Sequence, residues 1–156
     1  MENQEEIAKQ AFSKMARLCS RSEQCSADIR KKLVAFELSE EAVDEIIIEL
    51  KNEKYLDNER YAKAYVKDKF KFNKWGRIKI RYNLRMKGIS ENNIQTALDE
   101  IDGEKYKTVL IKIMKAKAKT IKKKSNFEKM GSIIRFAQTR GFEPELIHRY
   151  MNSVLE

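Results

Sequence analysis

Between Tyr61 and Ser90 the chain carries Lys63, Lys67, Lys69, Lys71, Lys74, Arg77, Lys79, Arg81, Arg85 and Lys87 against a single acid, Asp68. A surface of one sign suits phosphate, because each neutralised phosphate releases condensed counterions and adds affinity without reading base sequence. Arginine can also fork onto phosphate or carboxylate oxygens in a way lysine cannot. Lys71, Lys74, Arg77, Lys79, Arg81, Arg85 and Lys87 are therefore the candidate contacts of this segment. Trp75, with Tyr82 nearby, could offer a face for a base to stack on. An aromatic at a helix start is also ordinary packing material, and both readings stand.

A second basic element runs from Lys105 to Lys124 and holds no acid. At 100° per residue it places Lys112, Lys115, Lys119, Lys122 and Lys123 on one side, and Tyr106, Val109, Leu110, Ile113, Ala116 and Thr120 on the other. A merely solvated face usually intersperses Glu to make i,i+4 pairs and limit repulsion, so the missing acids favour an anionic partner. A membrane surface fits less well, since the opposite side of the helix is needed for packing.

Several chemistries are excluded. His148 is the only histidine, so a histidine metal cluster cannot be assembled. No glycine-rich phosphate loop is present, which argues against nucleotide hydrolysis by the chain itself. The expectation is a non-enzyme with no cofactor and no metal. Cys19 and Cys25 have no ligand-spaced partners, and the acidic, polar start reads as neither signal nor transit peptide. Reduced thiols in a cytoplasmic protein follow. The longest aliphatic run, Ile46 to Ile48, is far too short to span a bilayer.

The elements that must carry these residues read as helices. One proline and five glycines in 156 residues leave little of the turn chemistry that many short strands require. The formal charge of +9 is uneven, at −5 over residues 1–59 and +14 over residues 60–156. Such asymmetry suits a polyanion-facing part and a part with another task. Glu40, Glu41, Asp44, Glu45 and Glu49 surround one helix of the acidic part, where they serve as helix-start acids or as a contact for a basic protein surface.

The chain also repeats itself. Ile29, Leu33, Ser39-Glu40 and Val43 recur 51 residues later as Ile80, Leu84, Ser90-Glu91 and Ile94. Ile133, Ala137, Gly141-Phe142, Ile147, Met151 and Val154 follow 53 residues beyond Ile80, Leu84, Gly88-Ile89, Ile94, Leu98 and Ile101. Self-similarity at a near-constant period signals a repeat architecture. Each copy reads as three helices, opened by caps such as Ser39, Asp57 and Ser90 and closed at Gly88 and Gly141, with Pro144 in a first turn. The first copy has Glu37 at the glycine position, so its turn must be strained or differently shaped.

Helices are expected near 2–20, 26–36, 40–53, 58–72, 75–87, 91–101, 103–123, 127–140 and 144–155. The strict alternation Ile78, Ile80, Tyr82, Leu84, Met86 is by itself a strand signal. The equivalent segments of the other copies do not alternate, so the repeat selects a helix. Ile80 and Leu84 should then point inward, leaving Ile78, Tyr82 and Met86 to meet neighbouring units. The fold class is all-α, with three tandem three-helix repeats over residues 1–53, 54–102 and 103–156 forming an elongated, curved array.

The run Tyr55-Leu56-Asp57-Asn58-Glu59-Arg60-Tyr61-Ala62, continued by Lys74-Trp75-Gly76-Arg77-Ile78 and Leu84-Arg85-Met86-Lys87-Gly88-Ile89, resembles the central repeat of the RecX family. Arg21 with Asp28 to Leu33 is similar to the first repeat of that family, and Phe127-Glu128-Lys129 with Arg140-Gly141-Phe142 to the third. Two departures, Cys25 beside Ser26 where the family carries a small serine and Glu37 for the glycine, fall at local cap and turn positions. The resemblance implies a cytoplasmic bacterial regulator without catalytic residues, acting in DNA repair and the SOS response. Its expected partners are the RecA filament, which it usually inhibits by lying in the filament groove, and single-stranded DNA, with double-stranded DNA as an alternative. A monomer with no membrane contact is expected. A different class of function also fits the basic three-helix units: a stand-alone DNA-binding protein or transcription regulator of helix-turn-helix type, with Asn83 as its main base-reading candidate.

Overall fold

The computed structural model describes residues 3–122 and 125–155. Among the described residues it is all-α, with no strand. The helices are α1 (Gln4–Arg21), α2 (Ser26–Leu33), α3 (Glu40–Asn52), α4 (Asn58–Asn73), α5 (Arg77–Met86), α6 (Glu91–Asp99), α7 (Gly103–Thr120), α8 (Asn126–Thr139) and α9 (Pro144–Leu155). A 3₁₀ turn, Val34–Phe36, follows α2 where a single longer helix was expected.

The caps read from sequence are in place. Ser39 Oγ accepts from the Ala42 N–H at 3.1 Å, Asp57 Oδ1 from the Arg60 N–H at 3.0 Å and Ser90 Oγ from the Asn93 N–H at 3.2 Å. Each satisfies one donor that a helix start leaves unpaired. The copies also end alike: Gly88 and Gly141 have φ of 76° and 93°, and Glu37 adopts the same left-handed form at φ 55°. The Ile89 N–H then returns to the Leu84 carbonyl and the Phe142 N–H to the Ala137 carbonyl, closing the helix ends in Schellman fashion. Glu37 thus keeps the turn and bears the Cβ strain that glycine avoids.

The alternating segment is helix α5, as the repeat requires. Ile80 and Leu84 are fully buried, but Ile78, Tyr82 and Met86 are 50%, 61% and 71% exposed, so they stand in solvent and the expected packing of these three is corrected. The reason is angular. Residues 78, 82 and 86 lie four apart on one helical face, opposite the face that carries Ile80 and Leu84.

The described chain divides into two compact units, Met1–Ala64 with Leu84–Ile94, and Tyr65–Asn83 with Gln95–Glu156. In the first, α1, α2 and α3 bury Ala11, Met15, Cys19, Ile29, Leu33, Ile46, Ile47 and Leu50 around one centre. Cys19 and Cys25 are free thiols, both buried. Burial pushes both thiol pKa values up, which keeps them protonated and unreactive. In the second unit α7, α8 and α9 enclose Tyr106, Leu110, Met114, Ile133, Ala137, Phe142, Ile147 and Met151. The buried stripe of α7 is therefore Tyr106, Leu110 and Met114, spaced by four. Ala116 and Thr120, expected on that side, are exposed.

Candidate nucleic-acid interface

The turn from α4 to α5 is built by backbone before any side chain acts. Lys74 takes a left-handed conformation at φ 56°, and the Trp75 N–H reaches back to the Lys69 carbonyl at 3.2 Å. The next donors leave the local chain: the Gly76 N–H bonds the Arg140 carbonyl at 2.7 Å and the Ile78 N–H bonds the Gly141 carbonyl at 2.9 Å. Two backbones can meet this closely only without side chains between them. A Cβ on Gly76 would lie 2.6 Å from the Phe142 nitrogen, and one on Gly141 would lie 2.6 Å from the Lys79 nitrogen. The glycines of the Trp75-Gly76 and Gly141-Phe142 motifs are therefore a matched docking pair.

On this fixed corner the Lys69 and Lys79 ammonium groups stand 4.9 and 4.5 Å from the centroid of the half-buried Trp75 ring. Such cation–π contacts steady the ring and concentrate positive charge over it. Lys71 and Lys74 are exposed, with Lys74 Nζ donating to the Lys71 carbonyl at 2.6 Å, and Phe72 is 70% exposed. Lys69 and Phe72 were not among the sequence candidates. Nothing in the spacing says that Phe72 faces outward.

Arg77 faces the other way. Its guanidinium lies 3.8 Å from the Tyr106 ring centroid and pairs with Glu143 at 2.8 Å. The Tyr106 hydroxyl accepts from the Arg77 N–H at 3.0 Å and donates to Glu143, with Phe70 stacked on the ring and Phe142 tilted against it. Burial and the Glu143 carboxylate push the Tyr106 pKa up, so the hydroxyl stays a donor. Arg77 thus positions the corner, and its guanidinium is occupied. Glu143 is the member that spacing could not reveal, being 66 residues away from Arg77.

The remaining candidates divide by what holds them. Arg81 donates to Gln95 at 2.6 Å, Arg85 pairs with Glu91, and Lys87 bridges to Asp28 at 2.9 Å on α2. Asn83, the base-reading candidate, donates its amide to the Lys79 carbonyl at 2.9 Å. On α7, Lys112, Lys115 and Lys119 are exposed along one face, spaced by three and four. Lys122 is also exposed but lies past the end of the helix, where Ile121 has turned to extended backbone, so it is not on the expected stripe. Lys123 lies outside the described residues. No group of acids, cysteines and histidine suited to a metal ion occurs among the described residues, and none of the described helices is long and apolar enough to cross a membrane.

Residues 57–98 match the family model of the RecX second three-helix domain. A regulatory protein RecX of Caldanaerobacter subterraneus subsp. tengcongensis is 30% identical over 146 residues, covering 93% of this chain and 71% of the relative. Another, from Leuconostoc mesenteroides subsp. mesenteroides, is 27% identical over 155 residues, covering 99% of this chain and 58% of the relative. The chain likewise spans 65% of the Clostridium beijerinckii regulatory protein RecX, at 28% identity and with 89% of this chain covered. The crystal structure of RecX from Lactobacillus salivarius shares the fold at a TM-score of 0.85 and 20% identity, with 96% of this chain and 97% of that one aligned. A repeating helical core, a cationic corner built on paired glycines and this set of relatives converge: the chain belongs to the RecX family of regulatory proteins.

Proposed function

We propose that the chain is a non-enzymatic cytoplasmic modulator of the RecA recombinase, acting as a monomer that binds RecA filaments on single-stranded DNA and lowers their activity. Duplex DNA is a second possible polyanion for the same cationic groups. The observation that carries this reading on the chain itself is the α4–α5 corner. Lys69 and Lys79 stand over Trp75, Lys71 and Lys74 are exposed beside them, and no carboxylate pairs with Lys71, Lys74 or Lys79 among the described residues. The exposed lysines of α7 extend the cationic character. In this reading Arg77 acts by fixing the corner, and Arg81, Arg85 and Lys87 take part only by exchanging their present partners for phosphate.

Residues 1–53, 54–102 and 103–156 are proposed as three copies of one unit, supported by burial of Ile29, Ile80 and Ile133 at equivalent positions. A ligand of a filament alters its growth or turnover only when it binds some filament states better than others. Stoichiometric protein should therefore lower ATP turnover by RecA on single-stranded DNA, and Lys71→Glu with Lys74→Glu should weaken that effect. Unchanged turnover and filament length at saturating wild-type protein would reject the proposal. Sequence-specific duplex reading is the poorer reading, because Asn83 is the main base-reading side chain on α5 and one of its amide hydrogens is held by the Lys79 carbonyl.

A further inference from the structure

The first unit carries excess acid in its sequence, yet α1, α2 and the 3₁₀ turn enclose a groove of the opposite sign. Its volume is about 640 Å³, and its walls hold Lys14, Arg17, Arg21 and Lys32 over a floor that includes Leu18 and Phe36. No acid lines it. Lys14, Arg17 and Arg21 repeat at three and four residues along α1, a spacing at which like charges repel and destabilise a helix. Elsewhere in the unit such charges are answered: Arg30 pairs with Asp44 at 2.7 Å and Arg60 pairs with Glu23. The side chains of Arg17, Arg21 and Lys32 meet no acid among the described residues. Arg21 and Lys32 also sit in last turns, where a cation offsets the helix dipole, but Lys14 and Arg17 lie too far from the end of α1 for that.

The floor decides between polyanions. Phosphates would accept the cations, but a sugar–phosphate backbone would leave the apolar lining of Met15, Leu18, Ala35 and Phe36 unfilled, and the Lys14 ammonium already lies 5.7 Å over the Phe36 ring. Aliphatic carbon beside a covered ring suits a large apolar side chain instead. Carboxylates flanking that side chain would complete both halves of the groove.

We propose that this groove docks an acidic peptide segment of a partner protein, anchored by a leucine or aromatic side chain on the Leu18–Phe36 floor and held by Arg17, Lys32 and their neighbours. The proposal stands apart from the filament reading, since it uses none of the lysines of α4, α5 or α7.

The test is fluorescence anisotropy of the labelled synthetic octapeptide Asp-Glu-Asp-Leu-Phe-Glu-Asp-Glu titrated with the full chain. Saturable, salt-sensitive binding is expected, weakened about tenfold or more by Arg17→Glu with Lys32→Glu, and similarly when Ser-Gly replaces the Leu-Phe pair. Ala35→Glu, which sets a carboxylate in the exposed wall, should weaken it independently. Labelled oligothymidylate should bind the wild type and these variants alike. Absence of peptide binding, or binding indifferent to the charge reversals, overturns the proposal. So does loss of oligothymidylate binding in the Arg17→Glu, Lys32→Glu variant, which would make the groove a nucleic-acid site. A wild-type dimer in sedimentation that this variant abolishes would replace the peptide by a second copy, whose α3 presents Glu45, Ile48 and Glu49.

Discussion

Replacing Tyr106 by phenylalanine removes one oxygen and strands two partners. The ring is 1% exposed, and its hydroxyl serves the Arg77 N–H at the start of α5 and one oxygen of Glu143 at the start of α9. A buried donor or acceptor left without a partner costs about 1–3 kcal/mol. Water can reach part of this cluster, since the Arg77 and Glu143 side chains are 31% and 23% exposed, so the lower part of that range applies to each. The expected loss is about 2 kcal/mol, which for a chain of this size lowers Tm by roughly 4–8 °C. Urea denaturation with a constant slope measures it, and Tyr150→Phe, which removes the hydroxyl of a half-buried ring lying under Lys107 at 5.2 Å, is the control expected within about 0.5 kcal/mol of wild type. A double-mutant cycle with Glu143→Gln should return strong coupling. A Tyr106→Phe protein as stable as wild type would refute the assignment of Arg77, Tyr106 and Glu143 as one supporting network.

Glu37→Gly should stabilise the protein by about 0.5–1 kcal/mol, because relief of about 1–2 kcal/mol of left-handed strain exceeds the added freedom of the unfolded chain; a lowered urea midpoint would contradict it. Burial opposes ionisation of Asp28, but hydrogen bonds from Lys87 and Cys25 and the charges of Lys87 and Lys31 outweigh it and hold the Asp28 pKa below its usual value. A lowered folded-state pKa contributes stability above the unfolded value of about 3.9, and loses it as pH falls through the folded one. Asp28→Asn should therefore cost about 1 kcal/mol near neutrality, and converge with wild type once the pH has fallen through the folded-state value. A difference that persists in acid would show that the bridge to Lys87 is not its source.

Helix content and boundaries were legible because the signals are local: Ser39, Asp57 and Ser90 cap the helices they precede, and the left-handed turns at Gly88 and Gly141 close them. The repeat rescued α5 from its misleading alternation, since a copied unit keeps its element types. Burial of Ile80 and Leu84 followed from that periodicity, and the same spacing sets Ile78, Tyr82 and Met86 on the opposite face; what spacing along one helix does not encode is whether a neighbour covers that face, and these three are exposed. The same limit governs the basic residues. Lys71 and Arg77 look equivalent in sequence, but one reaches solvent and the other is held by Tyr106 and Glu143 from distant segments. The groove beside α1 was hidden for a related reason. Its cations come from two helices of a segment whose summed charge is negative, so averaging erased them.

The most direct test of filament binding is co-sedimentation with RecA assembled on single-stranded DNA, comparing wild type with Lys71→Glu, Lys74→Glu and with Lys112→Glu, Lys115→Glu, Lys119→Glu. Wild-type protein should pellet with the filament to saturation, and both charge-reversed proteins should remain largely in the supernatant while keeping the wild-type urea midpoint. Wild-type protein that stays in the supernatant at stoichiometric filament, or folded variants that pellet as wild type does, would contradict the assignment.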